Sequence, residues 1–225
     1  MTPTRTPPSR HALLFDLDGV IVDSNPVHVQ VWRRYLSLHG IDPGQALPGM
    51  MYGRRNDEIV RDFFGAGLPP EEIHRHGAEK EALYRRVMSG QLPERLVPGV
   101  SAFLERSGSF AKAVVSNAEP ANVEFILNGA GLRRHFQVVV DGHQVARPKP
   151  APDLYLLAAE LLGTRPQDCI VFEDSAAGLL AAKAAGSAVV AVATTHDSFQ
   201  GADLVIRDFL SPELIPWLEK MTARP

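Results

Sequence analysis

The sequence predicts an α/β protein, a doubly wound parallel-sheet core with a small inserted α-helical domain. Three observations carry this. Short, near-continuous apolar runs recur along most of the 225-residue chain, and stretches with helical spacing separate them. The alternation fails in one block, residues 24–95, where only helical patterns occur. Strands buried on both faces read as unbroken apolar runs, and right-handed helical crossovers between them build an open sheet.

In chain order, MTPTRTPPSR is polar and rich in proline, which predicts a loose tail over residues 1–8 ahead of the core. The expected strands are ALLF (12–15), AKAVVS (111–116), QVVV (137–140), CIVF (169–172), SAVVAV (187–192) and ADLVI (202–206). Helical spacing over 121–130, 151–162 and 175–185 supplies the crossovers. In the inserted block, helices are expected at 26–39, 55–65 and 70–89, with IDPGQALPG and GAGLPP as punctuation. The chain then re-enters the core near LVPGV (96–100). The expected organisation is a core of residues 9–23 and 96–225 and a helical domain of residues 24–95, with hinges near 23–26 and 94–99.

Composition excludes several classes. A net charge of -3 gives no hint of a nucleic-acid or acidic-membrane partner. No apolar run is long enough for a signal-peptide core or a membrane span. Cys169 is the one cysteine, so an intrachain disulfide is ruled out and a reducing, cytoplasmic setting is expected. Lying in CIVF, it reads as a small buried hydrophobe rather than a reactive thiol. The sequence sets no oligomeric state.

Function concentrates at strand ends, because parallel α/β sheets bind ligands beyond the carboxyl ends of their strands. Four such ends are polar here: Asp16-Leu17-Asp18-Gly19, Ser116-Asn117, the loop ARPKPAPD with Lys149, and Glu173-Asp174. Each alone has a bland counterpart, a turn or a helix cap. The DxDG stretch is not a calcium loop, since its glycine comes too early and apolar residues follow. Together the four ends place Asp16, Asp18, Glu173 and Asp174 near one another, and clustered carboxylates repel strongly at low dielectric. An oxygen-loving cation such as Mg²⁺ fits that set. Lys149, the Ser116 hydroxyl and the backbone N–H groups after it are suited to holding a phosphoryl group. An aspartate can then attack phosphorus, while a second aspartate two residues on protonates the leaving oxygen and activates water.

The motifs DLDGV, VVSNA, RPKPAPDLY and VFEDSAAG, in this order, resemble the four motifs of the haloacid dehalogenase superfamily of phosphohydrolases. The helical insert resembles the cap of its β-phosphoglucomutase-like branch. The resemblance spans residues 11 to about 195 and implies a Rossmann-like core. It makes Asp16 the nucleophile and Asp18 the general acid/base. Ser116, Asn117 and Lys149 would bind phosphate, and Mg²⁺ would sit on Asp16, the Asp18 carbonyl and Asp174, with Glu173 as a ligand or beside one. It gives His28, Arg55 and Lys80 as cap residues that meet substrate, with Arg54 as a substitute for Arg55. True dehalogenases of the superfamily lack the second aspartate and the metal, so Asp18 with Glu173-Asp174 argues against dehalogenation.

Where the mutases carry polar and basic residues after the serine, this chain has Asn117-Ala118-Glu119-Pro120, which offers no cation for a second phosphate. The expectation is therefore a Mg²⁺-dependent phosphatase of a small phosphorylated metabolite, a sugar phosphate, with a hexose phosphomutase as the alternative. A phospho-receiver-like regulatory protein is a more remote alternative. Receivers are shorter, lack a helical insert after the first strand and have no resident acid/base beside the phosphorylated aspartate.

Overall fold

In the computed structural model, which describes residues 10–51, 54–196 and 199–223, the first apolar run forms strand β1, Ala12–Phe15. All four of its residues are buried, and alternate side chains enter different clusters: Leu13 and Phe15 on one face of the sheet, Ala12 and Leu14 on the other. This period-two split explains why the strand reads as continuously apolar.

Between β1 and the second strand lie α1 (Asn25–Leu38), α2 (Leu47–Met51), α3 (Asn56–Phe64), α4 (Pro70–Met88) and α5 (Leu92–Arg95). The expected helices at 26–39, 55–65 and 70–89 correspond to α1, α3 and α4. The short α2 and α5 were not anticipated: LPGMM carries proline and glycine, and LPER is a single turn. The core continues with α6 (Val100–Arg106), β2 (Ala111–Ser116), α7 (Pro120–Gly129), β3 (Val138–Asp141) and α8 (Asp153–Leu161). It ends with β4 (Cys169–Glu173), α9 (Ala176–Ala184), β5 (Ala188–Val192), β6 (Leu204–Ile206) and α10 (Leu214–Thr222).

The six strands are all parallel, in the order β3-β2-β1-β4-β5-β6. The order reverses at β1, so the loops after β1, β2 and β4 emerge side by side at the switch point, where such sheets bind ligands. Phe15 is in register with Val114 on one side and Phe172 on the other, and Asp16 N–H extends the ladder to the Phe172 carbonyl at 3.0 Å. Phe15 stacks on Phe172 with ring centroids 4.7 Å apart and meets Phe103 and Phe136 edge-on. Each such buried ring stabilises the fold by about 1.5–3 kcal/mol, so the floor beneath Asp16 is rigid.

The chain leaves and re-enters the core through two paired segments. Val22 and Leu96 form an antiparallel bridge, flanked by hydrogen bonds from Asp23 N–H to the Arg95 carbonyl (2.7 Å) and from Val97 N–H to the Ile21 carbonyl (3.0 Å). The apolar cluster on the Phe15 face runs through Val20, Ile21 and Val22 into Val31, Trp32 and Tyr84 of the insert. Cys169 is buried, and burial followed by the nearby Asp168 pushes its thiol up to about 12, in keeping with an inert hydrophobe. Among the described residues no helix is long and apolar enough to cross a membrane. The expected tail at residues 1–8 lies outside the described residues.

Candidate active site

Asp16 follows the last residue of β1, and Lys149 arrives from the loop between β3 and α8. The Lys149 ammonium is a filled tripod: it donates to Asp16 Oδ1 at 2.6 Å, Glu173 Oε1 at 2.6 Å and the Val115 carbonyl at 2.8 Å. The Asn117 side chain holds the backbone that carries it, accepting from Lys149 N–H at 3.2 Å and donating to the Lys149 carbonyl at 3.3 Å. Ser116, at the end of β2, is buried, and its Oγ accepts from Ala118 N–H at 3.1 Å.

Glu173 is almost completely enclosed and fully bonded. Oε1 accepts from Lys149 and from the Tyr155 hydroxyl (2.7 Å), and Oε2 accepts from the N–H groups of Asp174 and Ser175 and from Ser175 Oγ at 3.0–3.2 Å. It occupies the space beside Gly178, where a Cβ would come within 1.8 Å of Glu173 Oε1. Gly19 plays the same part for Asp174: its φ of +77° is the left-handed region, and a Cβ there would lie 1.9 Å from Asp174 Oδ2.

Asp16, Glu173 and Asp174 each bring an oxygen within 4.8 Å of the others. Asp174 Oδ2 accepts from Asn25 Nδ2 at 3.2 Å and from the Thr195 hydroxyl. Burial pushes the Asp16 carboxyl up, Lys149 pulls it down, and Glu173 and Asp18 raise it again, leaving it at about 7. Burial, then Glu173 and Asp16, raise Asp174 well above the carboxylate range. Negative charge therefore exceeds what Lys149 neutralises. Among the described residues no lysine or arginine pairs with Asp174 or Asp18. A buried, all-oxygen donor set with surplus negative charge suits a hard divalent cation.

Asp18 faces the other way, toward the insert. Its Oδ1 accepts from Ser24 Oγ at 2.5 Å and lies 3.8 Å from His28 Nε2. Burial would raise its carboxyl, but His28 and Ser24 outweigh it and hold it low. Lys80 is buried, with its ammonium 2.9 Å from His28 Nδ1, 2.7 Å from Glu81 Oε1 and 3.5 Å from Asn56 Oδ1. An ammonium can only donate, so His28 Nδ1 accepts and the ring proton sits on Nε2, facing Asp18. The His28 ring is stacked on Tyr84, with centroids 3.9 Å apart and planes nearly parallel.

These groups line one cavity of about 460 Å³ between the strand ends and the insert, which also takes in Arg54, Arg55, Arg61 and Arg85. Arg55 pairs with Asp57 at 3.2 Å, and Arg54 with Glu58 and Asp62 at 3.1 and 2.7 Å. Glu119 also lines the cavity, 3.1 Å from His143 Nε2. Every residue singled out from the sequence thus borders this cavity, except Glu173, which lies behind Lys149.

Sequence reasoning missed Ser24, Asn25, Glu81, Asn122, Tyr155 and Thr195. Thr194, beside Thr195, donates to the Gly19 carbonyl at 2.6 Å. The available signal was position: both threonines lie within three residues of the end of β5, a strand end at the same edge as the acids.

Residues 11–186 match the family of haloacid dehalogenase-like hydrolases. The chain is 36% identical over 184 residues to the fructose-1-phosphate phosphatase YqaB of Escherichia coli, covering 80% of this chain and 95% of that protein. It is 31% identical over 205 residues to β-phosphoglucomutase of Bacillus subtilis, covering 87% and 88%. Among solved structures, β-phosphoglucomutase from Clostridium difficile superposes with a TM-score of 0.80 at 27% identity, covering 92% of this chain and 96% of that one. With its parallel sheet and acidic strand ends in place, the chain belongs to the haloacid dehalogenase-like hydrolase family.

Proposed function

We propose that the protein is a Mg²⁺-dependent phosphatase of a small phosphorylated metabolite, a sugar phosphate, acting through an aspartyl phosphate on Asp16. The carrying observation is the charge balance of the cavity. Its lining holds six carboxylates (Asp16, Asp18, Asp57, Glu81, Glu119, Asp174) and six cations (Arg54, Arg55, Arg61, Lys80, Arg85, Lys149). Lys149 and Arg54 are answered by Glu173, Glu58 and Asp62, and a divalent cation would answer Asp16 and Asp174. Arg55 and Arg61 share one carboxylate and Arg85 donates to the neutral Asn122; that leaves about two positive charges on the insert side, the complement of one phosphate monoester dianion. A bisphosphate would leave that balance negative, and a mutase must bind one. The relatives include both a phosphatase and a mutase, and the balance, with Glu119 after the serine, supports the phosphatase.

In this reading Asp16 attacks phosphorus; Asp18, ionised in the resting site, takes up a proton as the dianionic substrate binds, donates it to the leaving oxygen and then takes one from the water that cleaves the aspartyl phosphate. Ser116 and the backbone N–H groups after it donate to the phosphoryl oxygens, Lys149 lends its positive charge from its place against Asp16, and Asn117 fixes the loop of Lys149. Mg²⁺ would be held by Asp16, the Asp18 carbonyl and Asp174, supplying positive charge for the phosphoryl oxygens and for the crowded carboxylates. Glu173, with both oxygens already bonded, orients Lys149. Residues 24–95 form a cap, and His28, Arg55 and Lys80 face the substrate side.

The test is incubation with Mg²⁺ and a panel of sugar and sugar-alcohol phosphates that includes fructose 1-phosphate, with β-glucose 1-phosphate plus a bisphosphate primer as a separate arm. Release of inorganic phosphate that disappears in Asp16→Asn is the expected result. Primer-dependent glucose 6-phosphate without matching phosphate release would make the protein a mutase instead.

A further inference from the structure

Glu81 and Arg85 stand one turn apart on α4, and both reach a single side chain of the core, Asn122 in the first turn of α7. Asn122 Nδ2 donates to Glu81 Oε2 at 2.7 Å, and Arg85 Nη1 donates to Asn122 Oδ1 at 2.7 Å. The amide is held from both sides by charged partners. Reversing it would set its NH₂ against the guanidinium and its carbonyl against the carboxylate, so its orientation is fixed. Asn122 and Glu81 are only 4% and 5% exposed, so the bond between them is shielded from solvent, while Arg85 is half-buried at the cavity edge.

The other oxygen of Glu81 continues the chain. Oε1 accepts from Asn56 Nδ2 at 2.6 Å and from Lys80 at 2.7 Å, Lys80 donates to His28 Nδ1, and the His28 Nε2 proton faces Asp18. Hydrogen bonds thus run from α7 of the core through the insert as far as His28, whose Nε2 lies 3.8 Å from the strand-end carboxylate of Asp18.

We propose that Asn122, Glu81 and Arg85 form a latch that holds the insert closed over the core and thereby positions Asp18; this rests on the acid/base role proposed for Asp18. All three are positioning residues. Two features suit a latch that opens and shuts. The core contributes a neutral amide, which costs less to re-expose and re-bury than a charged group. Glu81 and Arg85 are spaced i,i+4 with the acid N-terminal, the favourable order for pairing on a helix, so they can satisfy one another when Asn122 withdraws.

The experiment uses full-length protein with Mg²⁺ and two variants, Asn122→Leu and the isosteric Glu81→Gln. Nitroxide labels go on Leu38→Cys and Leu161→Cys, which are 72% and 55% exposed, while fully buried Cys169 stays unlabelled. The unmodified latch should give one dominant interspin distance, and both variants a population at longer distance. Single-turnover phosphorylation of Asp16 is then read with two donors. With a sugar phosphate, whose leaving oxygen needs a proton, the variants should be slower by about tenfold or more. With acetyl phosphate, whose leaving carboxylate needs none, they should be within about threefold of the parent, because only the acid is misplaced. An unchanged distance distribution, or equal slowing with both donors, overturns the proposal. If the parent transfers phosphate from neither donor, the phosphatase reading fails, and the interspin distance alone still decides the latch.

Discussion

The Lys149 ammonium lies 2.6 Å from Asp16 Oδ1, and each charge offsets the burial of the other. Burial would lower Lys149, but Asp16 and Glu173 outweigh it and raise the ammonium above its ordinary range. Without Lys149, both carboxylates would stay buried with their main counter-charge gone. Lys149→Met should therefore lose about 3–5 kcal/mol of stability and slow phosphoryl transfer by about 10²–10³-fold. Lys149→Arg should rescue little, because a planar fork does not match a tripod of two carboxylates and a carbonyl. Urea unfolding and single-turnover rates check both, and a fully active Arg variant would contradict the tripod.

Glu81 makes the fold acid-sensitive in a defined window. Burial by itself would raise its carboxyl, but Lys80, His28 and Asn56 outweigh burial and hold it at about 2, against an ordinary 4.5. A depressed folded pKa gives stability that is complete above the unfolded value and disappears as pH falls through the folded one. The contribution, on the order of 3 kcal/mol, should thus be present at pH 5.5 and fade between about 4.5 and 2. Glu81→Gln should be less stable than the parent at pH 5.5, with the gap narrowing steadily toward pH 2.5 in urea titrations. A gap that stays constant would mean that the carboxylate charge contributes nothing.

The sheet was legible in the sequence because β1, β2 and β4 are buried on both faces and leave uninterrupted apolar runs. The acids were legible because Asp16 and Glu173-Asp174 sit directly where those runs end. Glu81 and Asn122 were not. Their spacing within amphipathic helices is that of ordinary polar positions, and only the packing of α4 on α7 turns them into a buried pair 41 residues apart in sequence. Lys80 was singled out for substrate, yet its neighbour Glu81, one residue on, takes its charge, which no spacing rule exposes. Short α2 and α5 escaped because a helix of four or five residues has too few turns to show a period.

Divalent-cation binding can be separated from turnover through Asp174. Its carboxylate is raised well above the usual range by burial and by Glu173 and Asp16, so without a cation the ionised form strains the native state. Two consequences of opposite sign follow. In the absence of divalent ions at pH 8, Asp174→Asn should be at least as stable as the parent, because it removes one repelling charge while still offering an oxygen to Asn25 and Thr195. When Mg²⁺ is added to about 100 times its dissociation constant, the parent should gain about 2.7 kcal/mol and the variant almost nothing. Thermal melts with EDTA and with graded Mg²⁺ read both, without any substrate. Equal Mg²⁺-induced shifts in the two proteins would remove Asp174 from the metal site, and a variant much less stable in EDTA would show that its carboxylate is stabilised by Asn25 and Thr195 more than it is strained by its neighbours.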